Sequence, residues 1–210
     1  MAMPRAPACA PARAPARDGL NSPAAPKPAV CYDWGPYHDH IWGTPLRDSR
    51  ELFAQLCLAS QQAGLSWRVV WNKREGYAAA FHDWDMRAIA AMGEADIDAL
   101  CAPGWAGRVL QSRRKLAAIV HNARVCSEIE ATHERGLAGF LLSFFEDDPE
   151  TTNRHEDLSS SQYKSVFGVT SSYSDAMARA MIRSKHKSAQ WDFRFLGSVT
   201  LQAFALQVGA

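Results

Sequence analysis

The sequence has no apolar run approaching the roughly 18–20 residues that a membrane span needs, so no membrane-crossing segment is expected. It has no CxxC pair. Its five cysteines, at 9, 31, 57, 101 and 126, are odd in number and scattered through 210 residues. That argues against a disulfide scaffold or redox motif and for reduced thiols in a reducing, cytoplasmic setting. A surplus of either charge is also missing: 23 Lys and Arg face 22 Asp and Glu, for a net charge of +1. A histone-like basic coat is thereby excluded, whereas a local basic patch is not. Alternating strand-type patterns are scarce and no internal repeat is visible.

What is present divides the chain in two. Residues 1–30 hold seven of the eleven prolines and ten alanines, with almost nothing large and apolar. Proline interrupts helices and strands, and so little apolar surface cannot offset the entropy of ordering. The segment reads as a disordered Pro/Ala-rich tail without the apolar core of a secretory signal. It carries a charge of +3, leaving residues 31–210 with 19 basic and 21 acidic residues. The tail is then either a solvated leader or a weak nonspecific attraction for phosphates. Residues 31–210 fit one domain.

Its periodicity is helical. Asp48 opens a helix carrying Leu52, Phe53, Leu56 and Cys57, and Ser66 opens one with Val69, Val70 and Trp71. Asp85 precedes a short helix with Ile89 and Met92, and another runs from Glu94 to Cys101 before Pro103-Gly104. The longest spans Lys115 to about Glu134, striped by Leu116, Ile119, Val120, Ala123 and Cys126, and Leu137–Phe145 follows. A polar loop over 147–172 leads to helices over Ser174–Arg183 and Ser198–Gln207. The fold class is all-α.

Two stretches suggest a site. Trp34, Tyr37 and Trp42 lie in Trp34-Gly35-Pro36-Tyr37-His38-Asp39-His40-Ile41-Trp42-Gly43, and Trp67 closes Gln61-Gln62-Ala63-Gly64-Leu65-Ser66-Trp67. Electron-rich ring faces can box a flat or cationic ligand. The same rings can equally be core aromatics at helix seams. Paired amides and a glycine before a helix favour a polar-edged pocket.

These motifs resemble the 3-methyladenine DNA glycosylase I family. The resemblance rests on Tyr37-His38-Asp39 with Trp42-Gly43, Asp48-Ser49, Leu52-Phe53 and the Gln61–Trp67 block. It extends to Arg74-Glu75-x-Tyr77, Phe81, Lys115-Leu116-x-x-Ile119-x-x-Asn122-Ala123-Arg124, Phe140-Leu141-x-Ser143-Phe144, Ser174-Asp175-Ala176 and Phe193-Arg194-Phe195-Leu196-Gly197, covering about residues 31–209. It implies a helix-hairpin-helix repair fold that excises adenine alkylated at N3 from double-stranded DNA, releasing 3-methyladenine. A base within a duplex is out of reach, so it must be swung into a pocket. By resemblance Tyr37, Trp42 and Trp67 contact the base, with Trp34 a further candidate. No lysine stands where a Schiff-base nucleophile can be argued, so the expected enzyme is monofunctional, and a monomer suits it.

Two departures stand out. Relatives carry a pocket glutamate two residues before the Gln-Gln pair, and here that position is Ala59. A charge-assisted hydrogen bond of that kind is worth about 1.5–3 kcal/mol, so reduced activity is expected. Asp39 is the nearest carboxylate in sequence, as a substitute or as a capping residue. The family also closes a zinc site with two Cys/His pairs. Cys31 and His38 match the first pair, and the chain reaches Ala210 before a second would come, so half a tetrahedral site is expected.

The DNA-contacting element is expected in the turn Pro103-Gly104-Trp105-Ala106-Gly107-Arg108-Val109, where Gly107, Arg108, Arg113, Arg114 and Lys115 can meet phosphates. A solvated helix end is the plainer reading of that basic run. Three functions compete: an active glycosylase, a weakly active or non-catalytic paralogue that binds alkylated DNA or free base, and an interaction module that kept only the fold.

Overall fold

The computed structural model describes residues 37, 40–146, 171–183 and 189–209. Residues 1–30, Cys31, Trp34, His38, Asp39 and most of the 147–172 loop lie outside the described residues. Among the described residues there are nine α-helices and no β-strand, as the periodicity implies.

Helix α1, Ser49–Gln62, starts where Asp48 accepts hydrogen bonds from the Arg50 and Glu51 amides at 2.9 and 3.0 Å. The sequence pattern gives it one apolar face. In the structure every residue from Leu52 to Gln61 is buried. A helix enclosed on all sides is the axis of a fold rather than its wall, and α1 is lined by neighbours introduced below.

The short helices α2, Trp67–Trp71, and α3, Arg74–Ala80, follow. Ser66 is the N-cap of α2, but its hydroxyl makes no capping hydrogen bond; Val70 and Trp71 turn inward while Val69 is exposed. Helix α3 was not legible in the apolar spacing. A tight left-handed turn with positive φ at His82, Asp83 and Trp84 comes next, and Arg50 Nε donates to the Asp83 carbonyl at 2.6 Å. Helices α4, Met86–Ala91, and α5, Glu94–Leu100, precede α6, Arg113–Thr132, and α7, Gly136–Glu146. Helices α8, Ser172–Met181, and α9, Ser198–Gln207, close the chain. The α8 start moves back from the expected Ser174 because Ser171 and Ser174 cap each other reciprocally.

Packing centres on α1 and α6. Helix α6 lies against α4, α7 and α1, while α9 packs on α1 and α8. Polar bonds also fix these helices to one another. Arg124 on α6 donates to the Ala90 and Met92 carbonyls at the end of α4, at 2.9 and 2.8 Å. Asn122 brackets the Arg194 backbone in both directions, donating to its carbonyl at 3.1 Å and accepting from its amide at 2.9 Å. A fully buried side-chain amide is tolerated when both its ends are satisfied.

Candidate active site

Helix α1 ends in the block singled out by sequence. Ala63 leaves helical geometry and Gly64 takes φ +77, a left-handed conformation that glycine adopts without a Cβ penalty. The Leu65 amide donates to the Gln62 carbonyl at 2.6 Å, so the chain reverses within four residues and starts α2 at Trp67. Leu65, at the tip, is 41% exposed.

This turn delivers Trp67 to Tyr37. Their ring centroids lie 6.4 Å apart at an interplanar angle of 46°. A third ring joins them that the sequence had placed only on an apolar face. Trp71 meets Tyr37 edge-on at 4.7 Å and lies 5.8 Å from Trp67. Its signal was its i+4 spacing from Trp67, which puts both indoles on one side of α2. The Arg74 guanidinium sits 4.7 Å over Trp71. Trp42 is tied to Tyr37 through the backbone, its amide donating to the Tyr37 carbonyl at 2.9 Å.

Burial pushes the Tyr37 phenol far above its usual pKa, and the Trp67 side chain offsets part of that rise. The phenol therefore stays protonated at neutral pH. The Trp67 indole N–H is buried and, apart from the Tyr37 phenol that it stabilises, meets no acceptor. An indole nitrogen only donates, so a ligand acceptor reaching these rings would meet a donor.

Ala59 lies one turn earlier on α1 and is fully buried. Among the described residues every buried polar side chain is an amide or a hydroxyl, so none of the buried ones replaces the carboxylate that the resemblance implies there; Asp39 lies outside the described residues. The next residue, Ser60, is engaged locally and donates to the Cys57 carbonyl at 2.6 Å.

The methyladenine glycosylase family model matches residues 32–210. The DNA-3-methyladenine glycosylase 1 of Escherichia coli K12 is 35% identical over 173 residues, 82% of this chain and 83% of its own length. The chain belongs to the methyladenine glycosylase family. The DNA-3-methyladenine glycosylase of Haemophilus influenzae is 38% identical over 173 residues, 82% of this chain and 84% of its own. A crystal structure of a 3-methyladenine DNA glycosylase I superposes with a TM-score of 0.68 at 36% identity, covering 83% of this chain and 86% of that one. A Staphylococcus aureus glycosylase whose structure describes 3-methyladenine recognition gives 0.66 at 33% identity, covering 83% of each chain.

In this methyladenine glycosylase the turn between α5 and α6 is built as a closed hairpin. Pro103–Trp105 forms a single 3-10 turn, and Gly107 takes φ +80. Gln111 Nε2 ties the hairpin's base to the Cys101 and Ala102 carbonyls at 3.2 and 2.8 Å. The basic residues of this segment have different surroundings. Arg108 is exposed and stacks 4.5 Å over Trp105. Arg114 is exposed, 5.9 Å over Phe195. Arg113 is exposed too, but its Nε donates to Asp98 at 2.8 Å and its Nη2 to Glu94, and these bonds raise its pKa further. Lys115 turns inward, where its Nζ donates to the Gln61 and Ala63 carbonyls, both at 2.7 Å. The five residues expected to meet phosphates therefore do not form one uniform patch: Arg108 and Arg114 offer cations to solvent, Arg113 is paired with carboxylates, and Lys115 is engaged within the protein.

Cys31 and His38 lie outside the described residues. Among the described residues no cluster of three His, Cys, Asp or Glu side chains is grouped so as to hold a metal ion. Cys57 and Cys126 are buried thiols whose burial raises their pKa, the opposite of a metal-ligating or nucleophilic thiol.

Proposed function

We propose that this chain excises adenine alkylated at N3 from double-stranded DNA and releases 3-methyladenine. The observation that carries the reading is the cluster of Tyr37, Trp67 and Trp71 rings that the Gln61–Trp67 turn brings together, with the buried Trp67 indole N–H among them. An extruded alkylated adenine offers ring-nitrogen acceptors to that N–H and presents a flat cation to the aromatic faces, each good contact worth about 0.5–2 kcal/mol.

The chemistry asks little acid catalysis of the protein. The alkylated base is positively charged, so when its bond to C1′ breaks it takes the bonding pair and departs neutral. Water then adds to C1′ and gives up a proton. The pocket stabilises the cationic base and excludes solvent, and the Tyr37 phenol, kept protonated by burial, meets the cation as a ring face rather than as an anion. The exposed Arg108 and Arg114 would neutralise phosphates flanking the extruded nucleotide.

A second reading is favoured by one observation. Ala59 puts a methyl in the fully buried position where the resemblance implies a carboxylate, which points to a weakly active enzyme or a binding paralogue. One assay decides between them: release of free 3-methyladenine from a methylated duplex, for the natural chain beside Ala59→Glu. Robust release by the natural chain establishes the enzyme. Release only by Ala59→Glu establishes the binding paralogue; release by neither overturns the excision reading, and the binding reading falls with it if calorimetry shows uptake of neither free 3-methyladenine nor methylated duplex.

A further inference from the structure

The base of the Gln61–Trp67 turn and the α5–α6 hairpin are joined by polar bonds that no pocket or phosphate contact requires. Gln61 is fully buried, and both ends of its amide are engaged: Nε2 donates to the Lys115 carbonyl at 3.0 Å, and Oε1 accepts from the Tyr77 hydroxyl at 3.3 Å. Lys115 answers in reverse, its ammonium donating to the Gln61 carbonyl. Each side chain thus binds the other's backbone. The Lys115 ammonium also reaches the Ala63 carbonyl, so it crosses the C-terminal end of α1, where carbonyls carry partial negative charge.

The position of Lys115 is unfavourable in its own helix. It stands in the first turn of α6, at the positive end of that helix dipole, where acidic residues are preferred. Burial also lowers its pKa. A cation held there against both effects is stabilised by the carbonyls of α1.

Tyr77 extends the link. Its hydroxyl donates to Gln61 and accepts from the Leu110 amide of the hairpin at 3.2 Å. The same end of α3 grips the hairpin twice more. Lys73 Nζ donates to the Gly107 carbonyl, and a Cβ on Gly76 would stand 2.1 Å from the Arg108 carbonyl oxygen. The hairpin backbone therefore lies directly on α3, and Tyr77 connects it to the residue that starts the pocket turn.

We propose that Gln61, Tyr77 and Lys115 form a clasp of positioning residues that couples DNA engagement at the hairpin to placement of Trp67, so that seating on the backbone sets the pocket for the base. The proposal rests on the excision reading for its consequence in catalysis, not for its geometry. Lys115 thereby leaves the phosphate contacts and becomes a connector between two elements.

The test uses the full chain with Tyr77→Phe, Lys115→Met and the conservative Lys115→Arg. Two measurements are made: single-turnover excision beside duplex affinity, and amide hydrogen exchange across 62–67 with and without an undamaged duplex. In the natural chain the duplex slows exchange at those amides. In Tyr77→Phe and Lys115→Met that slowing disappears and excision falls about tenfold, the scale of one or two buried hydrogen bonds, with duplex affinity held within about twofold. Lys115→Arg, which can still reach two carbonyls, restores most of both. Tyr77→Phe keeps the ring and tests the link should Lys115→Met fail to fold. Unchanged exchange protection in the variants overturns the clasp, as does a duplex without effect on those amides in the natural chain. A natural chain that shows the exchange coupling but releases no base overturns the excision reading and leaves the clasp standing.

Discussion

Arg113 donates through Nε to Asp98 at 2.8 Å and through Nη2 to Glu94, bridging the start of α6 to α5. Two carboxylates facing one guanidinium leave little net positive charge for a phosphate, although the side chain is exposed. Neighbouring arginines of one basic run therefore have different expected effects on DNA binding. Replacing Arg108 or Arg114 by Ala is expected to flatten the dependence of log affinity on log salt by about 0.9 for each phosphate that is no longer neutralised. Arg113→Ala is expected to leave that slope nearly unchanged and to lower stability slightly, as exposed ion pairs do. Titrations of a methylated duplex at several salt concentrations measure all three, and an equal change for Arg113→Ala would show that its pairing opens on DNA.

The aromatic pair predicts a graded loss. Trp67→Ala removes a ring face and the buried indole N–H together, and is expected to weaken binding of free 3-methyladenine by about 2- to 30-fold, the span of one cation–π contact. Trp71→Leu is expected to cost less affinity and more stability, because Trp71 is more deeply buried and packs edge-on against Tyr37. Fluorescence titration with the base and thermal unfolding separate the two effects. Full affinity in Trp67→Ala would remove the pocket assignment.

Ala59→Glu restores a carboxylate beside a cationic ligand and is expected to raise the single-turnover rate about 10- to 100-fold, the scale of one charge-assisted hydrogen bond. The same change buries an ionisable group in a fully enclosed position. The unliganded variant should therefore be less stable and should recover stability on adding the base. Thermal unfolding with and without 3-methyladenine reads that recovery.

Gly76 marks the closest approach of α3 to the hairpin. A Cβ there would lie 2.1 Å from the Arg108 carbonyl oxygen and 2.7 Å from its carbon, backbone atoms that cannot swing aside. Gly76→Ala is expected to destabilise the fold by about 1–3 kcal/mol by overpacking. It should also weaken duplex binding by displacing Arg108. Denaturant unfolding and a duplex titration measure both, and a neutral outcome would mean that the hairpin is not seated on α3.

Tyr77 predicts an alkaline limit to stability. Burial raises its pKa to about 12, a rise that the Leu110 amide partly offsets. Unfolded, the phenol ionises near its ordinary value of about 10. Because the folded pKa is the higher one, this contribution is complete below about pH 10 and is lost as pH rises through about 12. Two units correspond to about 2–3 kcal/mol. The natural chain is expected to lose more denaturant resistance than Tyr77→Phe between about pH 9 and pH 11.5. Equal losses would show that Tyr77 ionises without unfolding.

The class of fold, most helix ends and the identity of the turn at Gln61–Trp67 are legible along the chain. These are local matters. Asp48 and Asp85 cap the helices that follow them because a carboxylate two or three residues from an amide needs no distant partner. Gly64 permits the reversal because its backbone alone decides the strain. Tertiary structure decided what no local spacing encodes. Helix α1 shows one apolar face in sequence yet is buried all round, because what encloses it comes from α2, α6, α7 and α9. Lys115 reads as a phosphate contact beside Arg113 and Arg114. It is turned inward because the carbonyls of Gln61 and Ala63, more than fifty residues earlier, present a negative helix end where its ammonium lies. Charge and periodicity are written along the chain, but the partner that gives a charge its role is brought to it only by folding.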